Sequence, residues 1–116
     1  MKDNVLKNKA FDFAVRTVNL YKYLTNNKKE YVLLKQLLRS GTSIGANVEE
    51  AIGGQSRSDF VAKLSIAYKE SRESLYWIEL LHKTGYLDDK EVLSIKNDIE
   101  EILKIIGRIR KTILNS

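Results

Sequence analysis

Seven β-branched residues near the end of the chain, Val92, Ile95, Ile99, Ile102, Ile106, Ile109 and Ile113, fall alternately three and four positions apart. This spacing is a heptad seam, which gathers all seven on one stripe of a helix. A strand would divide the set between its two faces. A helix with one continuous apolar stripe must bury it against other helices, so the seam points to a bundle. With no proline anywhere in the chain, nothing forces long helices to break.

The rest of the sequence supplies three partners. Asp88 opens the last helix, and Glu91 follows at the spacing of a capping box. Gly85, after Lys83 and Thr84, suits a left-handed end to the preceding helix. That helix is expected to start near Ser56 or Ser58, after the Gly53-Gly54 break. Its inward face is read as Phe60, Leu64, Ala67, Ser71, Ser74 or Leu75, Ile78 and Leu81. The first helix is read with Phe11, Ala14 or Val15, Val18, Tyr21 and Leu24 inward, ending at Thr25-Asn-Asn-Lys28. The second keeps helical spacing through Tyr31, Leu34, Leu37 or Leu38, Gly41, Ile44 or Gly45, Val48 and Ile52. Gly41 and Gly45 each cost roughly 1 kcal/mol relative to alanine inside a helix. The segment is nevertheless read as continuous, with its glycines and the small Ser71 and Ser74 bringing the second and third helices close. Four helices joined by short connections give an all-α, antiparallel up-down-up-down bundle, with residues 1–116 as one domain.

Composition narrows the chemistry. There is no cysteine and one histidine, His82, which excludes thiol catalysis, disulfides and thiolate zinc sites. The Glu79-Leu-Leu-His82 phrase has the Glu-x-x-His spacing of di-iron bundles, but such a site needs a second histidine. A helix-end histidine near the C-terminal dipole is the favoured reading. Ser40, Thr42 and Ser43 lack a base within their motif and read as small residues at a tight helix contact. Gly53-Gly-Gln-Ser56 follows a helix rather than a strand and lacks the ending of a phosphate loop, so it reads as a turn with a serine cap. No cofactor and no metal are expected. No secretory signal opens the sequence and no apolar run is long enough to span a bilayer, so a cytoplasmic protein with no membrane partner is expected.

Two surface features carry functional weight. Arg39, Ser43, Asn47 and Glu50 share one stripe of the second helix, extended by Lys28 and Lys35. It serves either a polar network, with Arg39 meeting Glu70 or Glu73, or a ligand or subunit contact. The second feature is charge. The chain carries a formal +5, and Lys104, Arg108, Arg110 and Lys111 form its densest basic cluster. The antiparallel topology adds Lys2, Lys7, Lys9, Arg57 and Lys63 at the same pole. These nine basic residues face five acidic ones, Asp3, Asp12, Glu49, Glu50 and Asp59, an excess of four. Alignment of several such poles would attract a phosphate backbone. No cluster of aromatic and basic residues reads as a base-recognition platform. Leu93, Leu103, Ile105 and Leu114 around the last helix, with Tyr23, Tyr76 and Trp77 off their core stripes, point to a homo-oligomer.

From Arg39 through Leu75 the chain resembles a bacterial family named after open reading frames inside intervening sequences of 23S ribosomal RNA genes. The pattern of Arg followed by Ser-Ile-x-x-Asn-(Ile/Val)-x-Glu is met by Arg39, Ser43, Ile44, Asn47, Val48 and Glu50. Phe60, Leu64, Ile66 and Ala67 follow, and then the acidic helix from Glu73 that closes on Gly85-Tyr-Leu87. The resemblance implies an antiparallel bundle assembling into rings, commonly pentamers, and a glycine-bearing segment held within a helix. The accessory variability determinant of diversity-generating retroelements is similar, and its basic ring serves nucleic acid and a reverse transcriptase. The expectation is therefore a non-enzymatic, pentameric accessory protein. Lys104, Arg108, Arg110 and Lys111, flanked by Lys2, Lys7, Lys9 and Arg57, would contact RNA or DNA. The alternative is a scaffold whose Arg39–Glu50 stripe receives an acidic partner protein.

Overall fold

The computed structural model describes residues 4–114, which form four helices, α1 (Val5–Asn27), α2 (Val32–Ile52), α3 (Arg57–Lys83) and α4 (Asp89–Leu114). Each packs on its chain neighbours, and α4 returns to α1 to close the square; the α2–α3 contact is the most extensive and the α1–α4 contact the least. Cross-links between the helices establish the antiparallel sense. Lys9 and Arg16 of α1 meet Glu101 and Asp98 of α4 in reverse order. Ser74 and Lys63 of α3 likewise meet Ser40 and Glu50 of α2. This is the up-down-up-down bundle that the periodicity implies.

The α4 seam is buried at Val92, Ile95, Ile99, Ile102 and Ile106, and only its last members, Ile109 and Ile113, reach the surface in part. Each fully buried isoleucine contributes about 1.5–3 kcal/mol. The turns behave as local chemistry dictates. Asp88 and Glu91 cap one another's backbone, with Glu91 N donating to Asp88 Oδ1 at 2.7 Å and Asp88 N to Glu91 Oε1 at 2.9 Å. Gly85 takes φ +89°, and Ser56 Oγ accepts from Asp59 N at the start of α3.

Two expectations about packing are corrected. In α1 the buried residues are Leu6, Ala10, Phe13, Thr17 and Leu24, whereas Phe11 is 66% exposed and Val15 44%. Phe11 and Val15 mark the wrong face, because the inward stripe runs through Leu6, Phe13 and Leu24 with the small Ala10 and Thr17 between them. The smallness of these two is required by α2, whose glycines face α1 and not α3. A Cβ at Gly41 would meet Thr17, and Gly45 lies against the carbonyl of Ala10. Close approach of α2 to α3 is achieved by serines instead, through a buried Ser74 Oγ to Ser40 Oγ hydrogen bond of 2.9 Å.

Candidate nucleic-acid interface

Lys104, Arg108 and Lys111 stand four and three residues apart, which puts them on one stripe of α4. That stripe faces away from the Ile99–Ile102–Ile106 seam, and all three side chains are exposed. None takes part in any ion pair among the described residues. The stripe spans seven residue steps, or about 10 Å of helix, and leaves three exposed cations facing solvent.

The other candidate cations are placed differently. Arg110 turns toward α3, its guanidinium carbon 5.0 Å from the centre of the Tyr68 ring. Its Nε is closed off from solvent with no hydrogen-bond partner, so Arg110 belongs to the α3–α4 seam through a cation–π contact. Lys9 binds Glu101 at 2.8 Å. That hydrogen bond holds the ammonium above its ordinary range and the carboxyl below it. Lys7 lies 3.7 Å from Glu49, and Arg57 Nη2 donates to the carbonyl of Ile113 at 3.3 Å. Lys63 pairs with Glu50 at 2.8 Å, a hydrogen bond that raises the lysine. Lys2 lies outside the described residues. Glu101 joins this pole as the partner of Lys9, so among the described residues eight basic side chains there face five acidic ones, an excess of three.

The stripe on α2 forms a network with α3. Arg39 donates to Glu70 at 3.3 Å and to Glu73, and Trp77 Nε1 donates to the same Glu73 carboxylate at 2.9 Å. The hydrogen bond from Arg39, then that from Trp77, holds the Glu73 carboxyl below its ordinary range, and Arg39 is raised in turn, first by Glu73. Ser43 Oγ and Asn47 Nδ2 donate to the carbonyls of Arg39 and Ser43 in their own helix. The Trp77 bond went unforeseen, although its i,i+4 spacing from Glu73 was visible. His82 Nε2 lies 2.7 Å from Asp89 Oδ1, and Glu79 pairs with Lys96 at 3.2 Å. Among the described residues no group of three or more acidic, histidine or cysteine side chains could hold a metal ion. No described helix is long and apolar enough to cross a membrane.

A groove of about 720 Å³ between α3 and α4 was also not foreseen as a unit. Its apolar lining includes Tyr76, Leu80 and Leu93. Tyr76 and Leu93 stand out in the sequence as off-stripe residues, but only the antiparallel register brings them together.

Fold and surface together define an all-α up-and-down bundle with an open basic stripe on its last helix. The model of the 23S rRNA-intervening sequence protein family matches residues 2–108, and the chain belongs to that family. It is also similar to a crystal structure from Bacteroides thetaiotaomicron VPI-5482, described as a protein with unknown function from the S23 ribosomal protein family. The two share 55% sequence identity over 92% of this chain and 99% of the other, with a TM-score of 0.91. No curated protein matches the chain at a significant level.

Proposed function

We propose that the chain is a non-enzymatic accessory protein of the cytoplasm that binds structured RNA or DNA through a basic surface repeated by self-assembly. The observation that carries this reading is the Lys104–Arg108–Lys111 stripe, three exposed cations on one face of one helix that enter no ion pair among the described residues, although the Glu101 carboxylate feels the charge of Lys104. Three phosphate contacts per subunit give weak binding alone, whereas several subunits presenting the same stripe give a steeply salt-dependent one. Assembly is supported by Phe11 and Val15, which stand out of α1 into solvent although both are strongly apolar. A homo-oligomer, a pentamer in keeping with the family resemblance, would cover them. The family's name refers to a sequence within 23S rRNA, which is compatible with an RNA partner but names no ligand.

Fluorescence anisotropy of a labelled RNA hairpin at several salt concentrations tests the reading. Low-micromolar affinity that falls steeply with salt, and weakens on Arg108→Ala plus Lys111→Ala, is the expected result. Absence of binding at low salt would overturn it. The second reading, a protein-interaction scaffold, would then stand, supported by the apolar groove between α3 and α4. An acidic partner protein at the Arg39–Glu50 stripe is less well supported, because Arg39 and Glu50 already hold α3 residues.

A further inference from the structure

The opposite end of the bundle carries a second set of open cations. Lys22 near the end of α1, Lys28 and Lys29 in the connection, and Lys35 early in α2 are all exposed. None enters an ion pair among the described residues. Of the nearby carboxylates, Asp88 and Glu91 line one pocket with Tyr23 and Lys28 but accept each other's backbone N–H groups, and Glu30 is engaged elsewhere. It accepts the backbone N–H groups of Val32, Leu33 and Leu34 at 3.1, 2.9 and 3.1 Å and so caps α2. Two aromatic rings accompany the lysines, Tyr23 at 55% exposure and Tyr31 at 50%. The sequence separates the two tyrosines by the α1–α2 connection, and the antiparallel fold returns both to one end.

Lys29 sharpens the case. Its φ of +54° lies in the left-handed region, where glycine ends helices readily and other residues are strained. Fold stability alone would favour glycine there. A lysine at that position fits a requirement for its charge.

We propose that this end binds a single-stranded segment of nucleic acid. Lys22, Lys28, Lys29 and Lys35 would follow the phosphates, and Tyr23 and Tyr31 would offer faces on which unpaired bases stack. Duplex would not satisfy the tyrosines, because its bases are already stacked on one another. The surface is separate from the α4 stripe and does not depend on it.

The test compares a labelled single-stranded oligouridylate with a blunt, loop-free RNA duplex, by anisotropy at low salt. Tyr31→Ala is expected to weaken the single strand about tenfold, within the range for loss of one stacked base. Lys29→Gly should weaken it severalfold while relieving backbone strain, so a loss there cannot be ascribed to unfolding. Neither change should alter duplex binding. Lys104→Ala with Arg108→Ala should do the reverse; failure of that arm alone would sink the α4 reading and leave this one standing. Single-strand affinity that is absent, or indifferent to Tyr31 and Lys29, overturns the proposal. Equal competition by polyglutamate would overturn it too, because carboxylates bring charge without bases.

Discussion

Gly41 of α2 lies so close to Thr17 of α1 that a Cβ added to the glycine would stand 2.7 Å from Thr17 Cγ2. Thr17 has little freedom to retreat, being buried with its hydroxyl donating to the Ala14 carbonyl at 2.9 Å. Gly41→Ala is therefore expected to lose about 1–3 kcal/mol by overpacking, despite a gain in helix propensity. Thr17→Ser removes the offending methyl and should recover part of that loss in the double variant. Urea denaturation of the four proteins checks the cycle, and strictly additive effects would contradict the contact.

Gly45 makes the opposite prediction. Its added Cβ would lie 3.5 Å from the Ala10 carbonyl oxygen, an ordinary contact. Gly45→Ala should gain up to about 1 kcal/mol from helix propensity. Two glycines one turn apart thus answer the same substitution with opposite signs, which the same denaturation experiment reads directly.

The Arg39–Glu73–Trp77 cluster gives a pH-dependent outcome. Glu73 titrates below its ordinary range in the folded chain, through hydrogen bonds from Arg39 and then Trp77. Its stabilising contribution is therefore present above the unfolded glutamate value of about 4.3 and is lost as pH falls through the folded one. Because the pair is solvent-accessible, the contribution is expected at no more than about 1 kcal/mol. The stability difference between the native chain and Glu73→Gln should hold steady from pH 7 to about 5 and shrink below about 4. Trp77 is the chain's one tryptophan, so its emission should shift over the same interval. A difference independent of pH would show that Glu73 is not held in this way.

The outcome at Gly41 also explains which parts of the fold could be read in advance. Isoleucines at heptad spacing announce α4 because burial of large β-branched groups leaves a strong periodic signal. The Asp88–Glu91 cap and the turn at Gly85 were legible for a similar reason, each being set by residues close in sequence. The inward stripe of α1 was not, since Ala10 and Thr17 are selected for smallness against glycines on another helix, and Phe11 outweighs them in any apolar count. The candidate site was half legible. Clustering of Lys104, Arg108, Arg110 and Lys111 is visible in the chain, but the position of Arg110 over Tyr68 depends on the register of α4 against α3.

Exposure of Phe11 leads to a prediction about assembly. If the α1 face is covered by another copy, Phe11→Lys should leave the core intact and convert the assembly toward monomer. Multi-angle light scattering should then report a mass near the 13.3 kDa of one chain, with helical circular dichroism unchanged. Retention of the native oligomer by this variant would place the interface elsewhere.

Arg108 and Arg110 provide the sharpest separation of binding from folding, because two residues of the same type on the same helix face different surroundings. Arg108 is exposed on the basic stripe, so Arg108→Ala should change stability by less than about 0.5 kcal/mol. It should also reduce the slope of log affinity against log salt by about one phosphate contact. Arg110 lies over Tyr68, so Arg110→Ala should cost about 1–2 kcal/mol through the lost cation–π contact and the packing of its stem. The salt slope of the protein that remains folded should not change. Arg110→Met, which keeps the stem and removes the charge, should recover part of the stability and likewise leave the slope alone. Loss of affinity in the Arg110 variants with none in Arg108→Ala would mean that the polyanion enters along the α3–α4 seam, and the outer stripe of α4 would no longer account for binding.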